Sequence, residues 1–266
     1  MDILLIIKAL ILGIVEGATE FLPISSTGHL IITGDLLNFL AKDKRDVFEI
    51  IIQLGAILAV IWEYRVKFIH VTTNLNESKS RQLAINLFIA FLPLAILGLV
   101  FYQQIKELLF NPKSVAIALI VGGFIILFIE KKLPKARIHS VDDMSWQLAL
   151  KVGFAQAIAL IPGASRAGST IIGGMCFGLS RTAATEFSFF LAVPVMVAAT
   201  FYDLYKSRDF LSANDLALFL AGFITAFIAA LIVIKVLIRY VANHDFTAFA
   251  WYRIIFGAIV LAYYWH

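Results

Sequence analysis

Glu16-Gly-Ala-Thr-Glu20-Phe-Leu-Pro-Ile-Ser-Ser-Thr-Gly-His29 is a polar passage set inside apolar sequence. Between Lys8 and Asp35 the only formally charged side chains are Glu16 and Glu20. Half a chain later a second passage has the same character: Gln156-Ala-Ile-Ala-Leu-Ile-Pro-Gly-Ala-Ser-Arg166-Ala-Gly-Ser-Thr170. Between Lys151 and Arg181 its only charge is Arg166. In both passages proline interrupts an apolar helix, and the Ser, Thr and Gly residues that follow favour caps and turns. Each passage therefore predicts a helix, a break and a second helix. Carboxylates in one and a guanidinium in the other predict one site assembled from both.

The surrounding composition sets the class. Hydrophobic residues make up 61% of the 266 residues, with 23 Phe, and mean hydropathy is +0.90. Charged residues are 15%, against about 25% in soluble domains. Several apolar runs approach the roughly 20 residues that cross a hydrocarbon core, and the alternating segments of a β-barrel are absent. An all-α polytopic membrane protein is the expectation. The net charge of +4 is carried in loops, so it reads as topology rather than nucleic-acid binding. The lone Cys176 excludes an intramolecular disulfide and a thiolate metal cluster. The apolar run from Ile3 to Val15 reads as part of the mature fold rather than as a removed signal peptide.

Apolar segments run roughly over 3–22, 24–40, 47–62, 83–102, 114–130, 152–162, 164–179, 182–202, 215–236 and 248–265. The first five echo the last five: Gly13 matches Gly153, Glu49 matches Glu186, and Gly122 matches Gly257. The expected organisation is a single membrane domain over 1–266, with repeat one at about 1–130, a linker at about 131–145 and repeat two at about 146–266. Each repeat is a re-entrant helical hairpin plus three transmembrane helices. A hairpin crosses an even number of times and three further helices make the count odd, so the two repeats have inverted topology. Segment 24–40 is too polar to face lipid, which favours re-entrant hairpins and six true spans. Lys and Arg divide as Arg65, Lys67, Lys79, Arg81, Lys131, Lys132, Lys135, Arg137, Lys151, Lys235 and Arg239 on one side. Lys42, Lys44, Arg45, Lys106, Lys113, Lys206 and Arg208 fall on the other, so both termini are expected outside.

Glu16 and Glu20, four residues apart, share a helix face. Each charge buried at membrane depth costs about 2.5–3.5 kcal/mol on insertion scales, so the pair needs a cation, a proton or a substrate. Metal coordination and general-base chemistry are the functional readings; a structural ion pair with Arg166 or Arg253 is the plainer one. The turn Pro162-Gly163-Ala-Ser165-Arg166-Ala-Gly168-Ser-Thr170 opens a helix. Its backbone N–H groups and the planar Arg166 fork suit phosphate oxygens, although a capped helix start would look similar. Ser25, Ser26, Thr27 and His29 place a hydroxyl nucleophile and an imidazole within one turn. A buried His is also commonly a satisfied hydrogen-bonder, and Ser26 is equally a cap. Arg45 and Arg181 suggest interfacial pairs with Glu49 and Glu186, while Arg253 needs a partner that sequence does not name.

These motifs resemble those of the bacterial undecaprenyl-pyrophosphate phosphatase, or bacitracin-resistance, family. The resemblance runs essentially end to end. It is anchored by 16–29, by Phe48-Glu-Ile-Ile-Ile-Gln-Leu-Gly55, by Pro162-Gly-Ala-Ser-Arg166 and by Glu186-Phe-Ser-Phe-Phe-Leu-Ala-Val-Pro194. Ala167 departs from the family pattern, where a Ser usually follows the Arg. The resemblance implies a hydrolase of the bacterial inner membrane with its site open to the outer face. Its substrate would be undecaprenyl pyrophosphate, the carrier lipid recycled for cell-wall synthesis. It also implies a divalent cation, Mg or Ca, at Glu16 and Glu20. Catalytic roles are then expected for Glu16, Glu20, Ser26, His29 and Arg166, with Ser26, His29 or water as attacking group. Substrate contacts are expected from Ser25, Thr27, Gly163, Ser165, Arg166, Gly168 and Thr170. A flippase for undecaprenyl phosphate is the competing reading, and a phosphatidic-acid-type phosphatase ranks last because no second His lies in an apolar hairpin. The oligomeric state, a homodimer included, is left open.

Overall fold

A computed structural model describes residues 3–109, 111–133, 135–206 and 215–265. Arg208, His266 and the side chain of Lys106 lie outside the described residues. The chain is helical, and no β-strand occurs among the described residues. In order the helices are α1 (Ile3–Thr19), α2 (Ser26–Leu36), α3 (Lys42–Glu63), α4 (Arg65–Thr73), α5 (Ser78–Leu109), α6 (Pro112–Lys132), α7 (Trp146–Ala157), α8 (Arg166–Cys176), α9 (Arg181–Lys206), α10 (Leu216–Val241) and α11 (Thr247–Tyr263). Ten of them coincide with the expected apolar segments. The exception is α4, which lies where a loop was expected and is bent 74° from α3. Four helices, α5, α6, α9 and α10, are long and apolar enough to cross a membrane, and the bent α3–α4 pair makes up to five. With 17 residues, α11 is apolar but shorter.

Both breaks form where the prolines predict them. The first leaves residues 20–25 between α1 and α2; the second leaves a 3-10 turn at Ile158–Leu160 and residues 161–165 between α7 and α8. At about 1.5 Å per residue the 11-residue α2 and α8 each rise about 16 Å, roughly half a hydrocarbon core. The helices of the two halves interleave: α1 lies along α10, α7 along α5, and α3 meets both α10 and α9.

The helix flanks are apolar, and a polar set lies buried within an otherwise hydrophobic core. Phe88, Phe124, Phe128, Phe154, Ile232 and Ile259 are exposed apolar side chains on the helix flanks. Glu16, Glu20, Ser25, Ser26, His29, Gln156, Ser165, Thr170, Ser188 and Arg253 are buried. Lipid can solvate the first set and only protein or a watery cavity the second.

Ionic contacts gather at two ends. One end holds Lys67–Asp142 at 2.6 Å, Lys235–Glu63 at 3.3 Å and Arg181–Glu130 at 2.5 Å. The α8–α9 turn joins this end, because the Arg137 and Ile138 N–H groups donate to the Gly178 carbonyl at 2.8 and 3.1 Å. The other end holds Arg45–Asp35 at 2.6 Å, Lys44–Asp215 at 2.8 Å and a Tyr264 hydroxyl donating to Asp35 at 2.9 Å. Thus α2 exits at one end and α8 at the other. Arg45 lies 3.9 Å from Glu49 as expected, but Arg181 pairs with Glu130 and not with Glu186. The reason is tertiary: Glu130 also accepts from the Phe246 N–H at 2.9 Å, so it is fixed between α6 and the start of α11.

Candidate active site

Glu20 lies one turn beyond Glu16, its N–H donating to the Glu16 carbonyl at 2.9 Å. Its carboxylate is 6% exposed and receives both halves of the molecule. The Ser26 hydroxyl donates to Oε2 in a short hydrogen bond, and Arg166 Nη2 donates to Oε1 at 2.8 Å. Ser26 and Arg166 are the first residues of α2 and α8. Two helix starts, with their unpaired N–H groups and positive dipole ends, therefore converge on one carboxylate.

Arg166 is held on all sides. Nη1 donates to the Ser188 carbonyl at 3.0 Å and lies 3.4 Å from the Ser188 hydroxyl. The guanidinium stands 5.7 Å from the Phe21 ring centre, and Nη2 is 3.4 Å from the Met196 sulfur. Thr170 completes the support, its hydroxyl 2.6 Å from that of Ser188 and 2.8 Å from the Arg166 carbonyl. The buried Arg166 Nε has no protein partner among the described residues and remains available as a donor.

Both turns use a strained residue. Ser25 has φ 71° and Ser165 φ 75°, in the left-handed region that favours glycine. Ser165 caps α8 by accepting from the Gly168 N–H at 3.0 Å, whereas Ser25 makes no side-chain cap bond. Gly163 has φ 91°, which suits a residue without Cβ.

His29 is hydrogen-bonded at both ring nitrogens. Nδ1 donates to the Ser25 carbonyl at 2.7 Å, a role required because a carbonyl only accepts. Nε2 then accepts from the Tyr252 hydroxyl at 2.7 Å, and the ring stacks 4.2 Å from Phe256. Both ring nitrogens are thus engaged away from Ser26. Thr27 is half-buried at the start of α2, with no side-chain hydrogen bond among the described residues.

Glu16 is 1% exposed, and its Oε1 has no partner among the described residues. Among those residues no three His, Cys, Asp or Glu side chains gather into a closed metal nest. An orphaned carboxylate oxygen one turn from a second carboxylate still suits a hard divalent cation. Such ions take oxygen donors and commonly complete their shell with phosphate oxygens and water.

A hydroxyl and a guanidinium meeting on one buried carboxylate narrow the comparison with known proteins. Residues 9–259 match the family described as bacitracin resistance protein BacA. This chain belongs to the BacA family. It is similar to the undecaprenyl-diphosphatase of Nitrosomonas europaea, 62% identical over 261 residues, covering 98% of this chain and 95% of the relative. The undecaprenyl-diphosphatase of Methylobacillus flagellatus is 63% identical over 271 residues, covering 100% of both. That of Dechloromonas aromatica is 60% identical over 263 residues, covering 98% and 96%.

Within this BacA-family chain, Ser188, Met196, Phe21 and Tyr252 join the expected residues without having been singled out in the sequence. Ser188 carried a usable signal, being a small polar residue within the apolar run that follows Glu186. Tyr252 carried none beyond its place in the last apolar segment.

Proposed function

We propose that this chain hydrolyses undecaprenyl pyrophosphate to undecaprenyl phosphate and phosphate. The observation that carries the reading is the meeting of Ser26 and Arg166 on the two oxygens of Glu20. Phosphoryl transfer is chiefly positioning and charge neutralisation, and this arrangement supplies both. Arg166 and the N–H groups that open α8 hold the phosphates, with Ser165, Gly168 and Thr170 shaping that turn. Glu20 takes the Ser26 proton as the hydroxyl oxygen attacks the terminal phosphorus. The P–O bond to the bridging oxygen breaks, undecaprenyl phosphate leaves, and water then releases phosphate from Ser26. His29 orients the Ser25–Ser26 turn through its bond to the Ser25 carbonyl.

Glu16 and Glu20 would hold a divalent cation, Mg or Ca, together with substrate phosphate oxygens. Bound there, the cation would neutralise phosphate charge. The exposed apolar flanks would accommodate bilayer lipid and lead the isoprenoid tail toward the pocket.

The same reading extends to architecture and place. The domain over 1–266 is two inverted-topology repeats, each a re-entrant hairpin plus three spans, in the bacterial inner membrane with the site facing outward. Three observations support the repeats: α1 on α10 mirrors α7 on α5, the hairpins exit at opposite ends, and both carry a left-handed serine. The span count of six requires the bent α3–α4 pair and the 17-residue α11 both to cross.

The test is phosphate release from undecaprenyl pyrophosphate by the purified protein in detergent, where there is no membrane to cross. Hydrolysis should stop with chelator and return with Mg or Ca, and acid quenching should trap phosphate on Ser26. Lipid movement across liposomes without any hydrolysis would instead make the chain a carrier.

A further inference from the structure

Arg253, near the middle of α11, is 1% exposed and is one of the largest fully buried side chains. Among the described residues no carboxylate pairs with it. A guanidinium has five N–H donors, and here each goes to a backbone carbonyl. Nη1 donates to Pro23 and Ala164, both at 3.0 Å. Nη2 donates to Gly163 at 3.0 Å and Ala118 at 3.2 Å, and Nε to Leu119 at 3.3 Å.

Those acceptors have a pattern. Pro23 belongs to the break before α2, Gly163 and Ala164 to the break before α8, and Ala118 and Leu119 to α6. One side chain therefore ties both hairpin turns to each other and to a full-length helix. The surroundings make room for it. A Cβ on Gly122 would lie 2.7 Å from Arg253 Cζ, and one on Gly168 would lie 3.2 Å from Nη1. At the 135-residue offset that matches Gly122 with Gly257, Arg253 falls opposite Ala118, so only one half supplies such a residue.

We infer that Arg253 is a positioning residue for catalysis: it sets the two turns that present Ser26 and Arg166, without touching the substrate itself. Ser25 and Ser165 stand in a backbone region costly for a residue with Cβ, and such strain persists only where the surroundings over-determine it. Holding the carbonyls at 23 and at 163–164 fixes the backbone just before both helix starts. The planar fork matters as well as the charge, because a lysine offers three donors from a single point and cannot reach five carbonyls.

The inference rests on the hydrolase reading, and one assay separates the two. Wild-type protein that releases no phosphate would sink the hydrolase reading; with wild type active, the variants test Arg253 alone. Two are compared as purified, monodisperse protein in detergent, with rates expressed per folded molecule from thermal unfolding. Arg253→Lys removes the fork. Gly122→Ala keeps Arg253 and pushes a methyl group against its guanidinium. Small misplacements of reacting groups cost rate steeply, so kcat should fall about 10- to 100-fold in Arg253→Lys and by a smaller factor in Gly122→Ala. KM should stay within about threefold, because the substrate contacts themselves remain. Unchanged kcat per folded molecule in both variants, or activity lost only in proportion to folded protein, would make Arg253 a stabilising residue and overturn the inference.

Discussion

The two hairpin turns are nearly the same object in backbone and opposite objects in chemistry. Ser25 and Ser165 share a left-handed φ, 71° and 75°, and each precedes the first residue of a short helix. At the 140-residue offset that matches Gly13 with Gly153, Ser26 falls on Arg166, Gly28 on Gly168 and Glu16 on Gln156. One turn thus delivers a hydroxyl and the other a guanidinium, and both reach Glu20, a position matched by Leu160 in the second half. The turns share their backbone geometry, and on the proposed reading the residues that differ between them supply an attacking group, its base and a phosphate clamp. A symmetrical pair would present two hydroxyls with no guanidinium, or two guanidinium groups with no carboxylate.

The largest expected effects break that division of labour. Removing one partner of a buried charge pair leaves the other uncompensated, at a cost of about 3–5 kcal/mol. Arg166→Ala should carry that cost in stability and, by removing a donor to the transferring phosphate, lower kcat/KM about 100- to 1000-fold and weaken lipid-pyrophosphate binding with it. Ser26→Ala should lower kcat by about a hundredfold or more while leaving binding within about threefold, because it removes an atom used only in the reaction. Steady-state hydrolysis and equilibrium binding of the two purified variants provide the check. If Ser26→Ala turned over near the wild-type rate, water would be the attacking group and the turns would differ only as ligands.

A tenfold effect is expected from the support behind the cation. Ser188→Ala removes a hydroxyl that meets both Arg166 and Thr170 but leaves the backbone carbonyl that Arg166 also uses. A lost hydrogen bond to a charged group is worth about 1.5–3 kcal/mol, so kcat/KM should fall about tenfold or somewhat more. No change would mean that the carbonyl alone orients Arg166.

The smallest effect sharpens the comparison in stability. Ser165 accepts the Gly168 N–H and Ser25 makes no such bond. Ser165→Ala should cost about 1 kcal/mol, the usual value of a cap, whereas Ser25→Ala should cost little. Thermal unfolding of both variants in detergent gives the answer. Equal shifts would show that the turns are held by something other than the cap.

What was legible in the sequence follows from what each feature depends on. The hairpin breaks are local chemistry, since Pro23 and Pro162-Gly163 cannot continue a helix whatever packs around them, and both appear in place. Glu16, Glu20 and Arg166 were conspicuous because charge in an apolar run is expensive. The helix α4 escaped notice because Thr72 and Thr73, whose hydroxyls bond back to the Ile69 carbonyl, and His70 read as loop residues. Arg181 was matched to the nearer Glu186, yet its partner Glu130 lies 51 residues away. Arg253 had no readable partner for a different reason: all five acceptors are main-chain carbonyls, which every residue carries and no side-chain pattern marks. His29 was legible as special but not as to direction, since its orientation depends on Tyr252, 223 residues distant.

The central claim is that Glu20 and Arg166 act as one unit across the two turns. A double-mutant cycle on hydrolysis, with Glu20→Gln, Arg166→Gln and the pair combined, measures this directly in kcat/KM. The account predicts strong coupling, with the double variant no more impaired than the worse single one. Losses that simply multiply would mean the two residues work independently, and the shared centre would be wrong.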